Sequence, residues 1–274
     1  MNLKKTLTLA GAALPALALL AAAPADAHRR WLLPSATVLS GDTELVSVDA
    51  AASNGLFLFD HRPLGLDDLT VTGPDGQPVE AKVIGSGDYR SVFDVPLTQQ
   101  GTYRIALVNN GLMGFYMLNG ERQRWRGSMD ELDGAIPDGA EEVRISQMNG
   151  RTETFATLGA PNETALQATG RGLEMIPVTH PNDLVTGEPA QMQFLMNGEP
   201  AAGLEVEFVE GGTRYRDTPG VTELTTDADG MIELTAKRPG YYYLETSAEG
   251  AAPADPRIDS RRASYTAVLE FMPL

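Results

Sequence analysis

The sequence predicts an all-β protein: two tandem β-sandwich domains behind an export signal, with one short helix in the first domain. Three observations carry this. Short runs of alternating apolar and polar residues recur, separated by Gly, Pro, Asn and Asp turns about every ten residues. A hairpin signal followed by a glycine–tyrosine strand occurs twice in the same order, Asp75-Gly76 then Gly101-Thr102-Tyr103, and Asn197-Gly198 then Gly240-Tyr241-Tyr242-Tyr243. Helical heptads and low-complexity tracts are absent. The expected boundaries are 1–27 for the signal, 28–170 for the first domain and 171–274 for the second.

The first stretch reads as a leader. Lys4 and Lys5 give a positive start, residues 7–23 are apolar apart from Thr8, Gly11 and Pro15, and Ala25-Asp26-Ala27 offers an A-x-A cleavage site. Cleavage there makes His28 the first residue of the mature chain. Residues 31–38 then read as an edge strand, because Pro34 cannot donate a ladder hydrogen bond. Residues 44–50 alternate, and 56–59 (LFLF) form a short apolar strand ending at Asp60-His61-Arg62-Pro63. Strands are expected at 69–72, 79–84, 89–95 and 100–108, with Tyr103 placed to close a corner by hydrogen-bonding back to the backbone. Ser128-Met129-Asp130-Glu131 is a capping box ahead of Leu132 and Ile136, so a helix of one or two turns is expected before Pro137. Residues 143–158 read as a hairpin turning at Asn149-Gly150. Residues 160–172 read as a linker. The second domain follows with strands at 190–196, 204–210, 223–226, 232–236, 241–246 and 264–271, separated by glycine turns.

Composition narrows the chemistry. The full chain carries a formal charge of −16; without Lys4, Lys5 and Asp26 the mature chain has 19 basic and 36 acidic residues, or −17. Such a surface repels nucleic acid and anionic lipid. There is no cysteine, which excludes disulfides, thiolate metal sites and thiol nucleophiles. After residue 27 no apolar run approaches the ~18 residues of a membrane span, so a periplasmic or secreted protein not embedded in the membrane is expected. No G-x-S-x-G, G-x-G-x-x-G or P-loop occurs. Asp227-Ala228-Asp229-Gly230 begins like a calcium loop, but Arg238 stands where the bidentate glutamate belongs, so it reads as a hairpin turn. An enzyme is not expected.

The three histidines carry the functional reading. A free α-amine has a reference pKa of about 8 and an imidazole one of about 6.5. A mature N-terminal His28 therefore offers two neutral nitrogens to one ion as a chelate. Imidazole suits copper, nickel and zinc. His61 follows Asp60, a carboxylate able to orient the ring. His180 lies in Thr179-His180-Pro181-Asn182-Asp183, extended by the following proline. His28, His61 and His180 are thus the candidate metal ligands, with Asp60 and Asp183 as orienters. Each has a plainer reading: His61 as a turn starter, and His180 as part of a domain-entry turn whose side chains satisfy backbone groups.

The segments HRRWLLPS after the A-x-A site, FDHRPL, GTYRIALVNNG and VTHPNDLVTGEP with TTDADG resemble a bacterial periplasmic family of unknown function related to the NikM-type component of nickel and cobalt uptake. The resemblance runs the length of the mature chain. It implies sandwiches of immunoglobulin-like or carboxypeptidase-regulatory-like type. It also implies a metal-related role in which His28 chelates the ion and His61 and His180 are the matching internal histidines. The expected cargo is a transition metal ion (nickel, cobalt or copper), and the expected partner a membrane permease or an outer-membrane receptor. This chain lacks the membrane anchor common among permease-linked relatives, so a free carrier is an equal expectation. Two alternatives remain: an adhesion or scaffold module with no metal, and a copper-dependent oxidative enzyme like the lytic polysaccharide oxygenases, disfavoured by the lack of a flat aromatic face. Distance separates them, since ligands of one ion cannot stand more than about 10 Å apart.

Overall fold

The computed structural model describes residues 28–250 and 255–274; the leader expected over 1–27 lies outside them. Strand follows strand, and the alternation of small β-formers with polar residues sets the burial of each. The first half supplies β1 (Arg29–Pro34), β2 (Val38–Leu39), β3 (Glu44–Ser53), β4 (Arg62–Pro63), β5 (Leu69–Thr72), β6 (Lys82–Ser86), β7 (Ser91–Leu97), β8 (Gly101–Leu118), β9 (Glu121–Gly127) and β10 (Glu141–Leu158). The second supplies β11 (Leu173–Pro177), β12 (Pro189–Met196), β13 (Glu199–Pro200), β14 (Glu205–Glu210), β15 (Val221–Thr225), β16 (Met231–Thr235), β17 (Gly240–Gly250) and β18 (Ser260–Phe271). The all-β expectation holds.

Three sheets result. One runs β1-β3-β7-β6, with β4 added beside β3. A second runs β11-β12-β13, with β16 also on β12. Between them lies a sheet running β15-β14-β17-β18-β10-β8-β5, to which both halves of the chain contribute. The join is β10 against β18, parallel from Ser146↔Ser260 to Thr154↔Val268.

Alternation assigns the two faces of this shared sheet. Tyr103, Ile105, Ala156 and Leu158 face the first sheet and pack with Val46, Val48, Phe93 and Val95. Phe155, Phe208, Leu244, Tyr265 and Phe271 face the second sheet and pack with Met175, Met192 and Phe194. The covering sheets thus lie on opposite faces of the shared one. A third cluster, Trp31, Ala51, Leu56, Val209, Tyr243 and Val268, bonds the two halves directly.

The repeated glycine–tyrosine signal folds the same way twice. Gly101 and Gly240 hold φ of +130° and +137°, values that a side chain rarely permits. Two residues on, Tyr103 Oη accepts from the Thr98 and Gln99 N–H groups at 3.0 and 2.9 Å and donates to the Gln99 carbonyl at 3.0 Å. Tyr242 Oη donates to the Arg238 carbonyl at 2.9 Å and accepts from its N–H at 3.3 Å. Tyr103→Phe strands two N–H groups and one carbonyl, so a loss of about 1–3 kcal/mol is expected in denaturant unfolding. Tyr242→Phe should cost less, having fewer bonds to lose; equal and negligible losses would contradict the corner assignment.

Three expectations are corrected. Asn149-Gly150 does not turn: both residues lie within β10, paired without interruption to Asn110 and Asn109 of β8. The hairpin is at Asn119-Gly120, with φ of +53° and +80°, between β8 and β9. Residues 128–136 form successive turns rather than a helix. Glu131 does accept from the Ser128 N–H at 2.8 Å, but Gly134 at φ +81° ends the segment before a helix can propagate. Residues 160–172, the stretch read as a linker, connect β10 to β11 and are held in place, since Asn162 accepts from the Thr102 N–H and the Leu166 and Gln167 carbonyls accept from Arg104. Finally, 56–59 is not a strand. Phe57 takes φ +59°, and the segment turns back onto Trp31.

Candidate metal centre

The end of β3 organises the histidine pair. Arg29 of β1 pairs with Ser53 on one flank, which delivers His28 just beyond the ladder. On the other flank Arg62 of β4 pairs with Ala52, which delivers His61 beside it. The two imidazoles meet there, stacked with ring centroids 3.8 Å apart and planes 9° from parallel. His28 is half-buried and His61 exposed.

The supports on both sides are stiff. Trp31 is fully buried, with Phe57 and Phe59 edge-on to its ring at 5.7 and 6.2 Å. Thr213 Oγ1 donates to the Leu56 carbonyl at 3.0 Å. A side chain on Gly211 would meet the Tyr241 carbonyl at 2.8 Å and the Phe57 ring at 3.2 Å, so glycine there lets the aromatic loop seat. The Asp60 carboxylate accepts from the Ser53 hydroxyl, pinning the residue before His61 to the end of β3. Asp60 therefore steadies the backbone of its neighbour.

On the β1 side, Arg29 reaches Glu207 at 2.6 Å and lies over the Tyr243 ring. Glu207 of β14 pairs with Glu245 of β17, so Arg29 answers two adjacent carboxylates. Burial raises the Glu245 carboxyl above its ordinary range; Arg29 opposes this and Glu207 adds to it. A carboxyl whose folded pKa lies above its unfolded one binds more protons in the folded state, so stability falls as pH rises through that interval. Glu245→Gln is accordingly expected to be about 1 kcal/mol more stable than the parent at pH 7, with the two converging near pH 4. Denaturant unfolding at both pH values checks this; a gap of the same size at both contradicts it.

His180 is placed elsewhere, and its candidacy as a ligand is corrected. Its Nδ1 accepts from the Asn182 N–H at 3.0 Å, capping the short turn Pro181–Asp183. Nδ1 as acceptor puts the proton on Nε2, which lies 3.1 Å from both the Asn162 carbonyl and Thr102 Oγ1. Both ring nitrogens are committed to structure. Thr102 pairs with Thr157 of β10, whereas Arg30, two residues after His28, reaches Ser264 opposite Gly150 of the same strand. Seven residues of strand, about 23 Å, separate those positions. Asp183 belongs to the same short turn as His180.

Fit to a metal rests on the donor set. Among the described residues no three His, Asp or Glu side chains gather around a common point. The pair supplies two imidazoles, and the third nitrogen would be the main-chain amine of a processed His28. Parallel rings at 3.8 Å send their lone pairs side by side, so joint coordination needs one ring to turn about its χ angles. The exposure of His61 leaves room for that rotation.

Sequence reasoning did not identify Ser53, Trp31, Phe57, Glu207 or Glu245 as supports of the site. Each acts through a partner distant in the chain, and no local pattern marks such a contact. No helix among the described residues is long and apolar enough to cross a membrane.

No curated protein matches the sequence. Among solved structures, the D0–D1 domain of Intimin is 10% identical with a TM-score of 0.21, covering 88% of this chain and 97% of that one. The full ectodomain of mouse nectin-like molecule 4 (Ig1–Ig3) is 9% identical with a TM-score of 0.19, covering 90% and 64%. A DUF4785 family protein from Legionella pneumophila is 11% identical with a TM-score of 0.20, covering 78% and 50%. Likenesses at this level carry no functional inference. The family described as "Domain of unknown function (DUF4198)" matches residues 25–250, and the chain belongs to that family.

Proposed function

We propose that the processed chain is a non-enzymatic periplasmic protein that captures a transition metal ion (copper, nickel or cobalt) at its N-terminus. The single observation that supports this is the contact between His28 and His61, residues 33 positions apart that meet ring to ring at the end of β3. The ligands in this reading are the α-amine and imidazole of His28 together with the imidazole of His61. His180 and Asp183 are left out, and Asp60 acts on the backbone of its neighbour. Three nitrogens without a thiolate favour copper or nickel over magnesium or calcium. The resemblance to the nickel and cobalt uptake component supports a carrier or accessory role, with a permease or outer-membrane receptor as the recipient. The β-sandwich architecture by itself equally suits a scaffold module; the histidine pair is what favours metal capture.

The test is calorimetric titration of protein beginning at His28 with Cu(II), Ni(II) and Co(II), beside His61→Ala. Saturable one-to-one binding that weakens in the variant, and weakens in both as imidazoles protonate at low pH, is expected. The same affinity in both proteins rejects His61 as a ligand, and no binding to either rejects the function.

A further inference from the structure

The shared sheet is covered on opposite faces by its two neighbours, and this stagger leaves one stretch of it open. There β5, β8, β10 and β18 floor a groove of about 630 Å³, walled by residues 169–172 and the Met196–Asn197 turn. Its volume is in the range of small-molecule sites.

The lining is anomalous for this protein. The chain as a whole carries −16, yet Arg104, Arg151, Arg171 and Arg261 line the groove and no acidic residue does, among the described residues. Arg104 and Arg151 are buried and answered from beneath by Glu153. Arg171 and Arg261 have no carboxylate partner among the described residues; Arg261 donates instead to Gln147 at 2.9 Å. The two cations at the groove's rim are therefore available to an incoming anion.

Leftover hydrogen-bonding capacity sits in the same floor. Arg104 is 5% exposed and its Nε–H has no acceptor; the nearest carboxylate oxygen, on Glu153, stands at 3.8 Å. Asn149 donates to Asn110 at 2.7 Å, but its own carbonyl oxygen is buried without a donor. A buried donor and a buried acceptor left unmet are each costly and call for a partner. A ligand that fits this lining carries an oxyanion for the rim arginines and hydroxyls for the amides of the floor.

We propose that this groove binds a hydroxylated carboxylate of about monosaccharide size, its carboxylate held by Arg171 and Arg261 and its hydroxyls by Asn149 and the groove floor. This site is separate from the histidine pair and does not depend on metal.

The test is calorimetric titration of metal-free processed protein with glucuronate, glucose and inorganic phosphate. Glucuronate is expected to saturate with a Kd at or below about 1 mM, with glucose at least tenfold weaker. The double variant Arg171→Ala/Arg261→Ala is expected to weaken glucuronate at least tenfold while its unfolding midpoint stays unchanged, since both side chains lie at the surface or rim. Charge reversal, Arg171→Glu/Arg261→Glu, should abolish binding. Absence of glucuronate binding, unchanged binding in the double variant, or phosphate binding as tightly as glucuronate would each overturn the proposal.

Discussion

Adding one N-acetylated residue ahead of His28, which supplies no new free amine, is expected to lower the Cu(II) and Ni(II) affinity of the processed protein by about 100-fold, or roughly 3 kcal/mol. The extension turns the α-amine into a peptide nitrogen, which is no ligand at neutral pH without losing its proton. Two imidazoles remain, and they stand parallel at 3.8 Å rather than converging on one point. A two-point grip that must also reorient a ring is much weaker than a three-point one. The fold should be indifferent to the extension, because Arg29 anchors β1 to Glu207 and Trp31 is buried regardless. Calorimetry on the two forms, with matched unfolding curves, is the measurement. Equal affinities would remove the terminal amine from the site.

Replacing Glu153 with alanine destabilises the protein by about 3–5 kcal/mol. Glu153 is 1% exposed and holds Arg151 at 2.8 Å and the Tyr265 hydroxyl at 2.8 Å, with Arg104 at 3.8 Å. Burial opposes the Arg151 charge, and Glu153, joined by Tyr265 and Glu174, more than offsets it. Without the carboxylate, two buried guanidinium groups lie side by side with only Glu174, which reaches Arg151 through Thr169, as counter-charge beneath the groove. For a chain of this size that corresponds to a fall in Tm of roughly 10 °C. Glu153→Gln, which keeps the shape but not the charge, should fall between parent and alanine. A loss below about 1 kcal/mol for alanine would mean that solvent screens these arginines as it does a surface pair.

Local patterns were legible and long-range ones were not. The alternation in 44–50 and 204–210 reports a half-buried face directly, and both segments are strands. The glycine–tyrosine corner was readable because the constraint and its answer lie within a few residues. By contrast, LFLF is apolar because it packs on Trp31, not because it joins a ladder, and apolarity alone does not separate the two. Asn149-Gly150 carries the chemistry of a turn, yet the pairing of β10 with both β8 and β18 overrides it. The true turn at Asn119-Gly120 was masked because β9 is charged and lacks an apolar rhythm. In the site, His61 was visible as a candidate, while the loss of His180 to a capping role depends on Thr102 and Asn162, far off in sequence.

The parallel seam between β10 and β18 also dictates an order of assembly. Residues 146–154 leave the ribosome more than a hundred positions before their partners at 260–268. Until the last strand arrives, one edge of β10 presents bare N–H and C=O groups, the kind of edge that recruits strands from other molecules. Distant parallel pairing is slow to form. A chain interrupted before residue 260 would therefore be sticky rather than half-finished, and holding it unfolded until β18 has been made is the safer route.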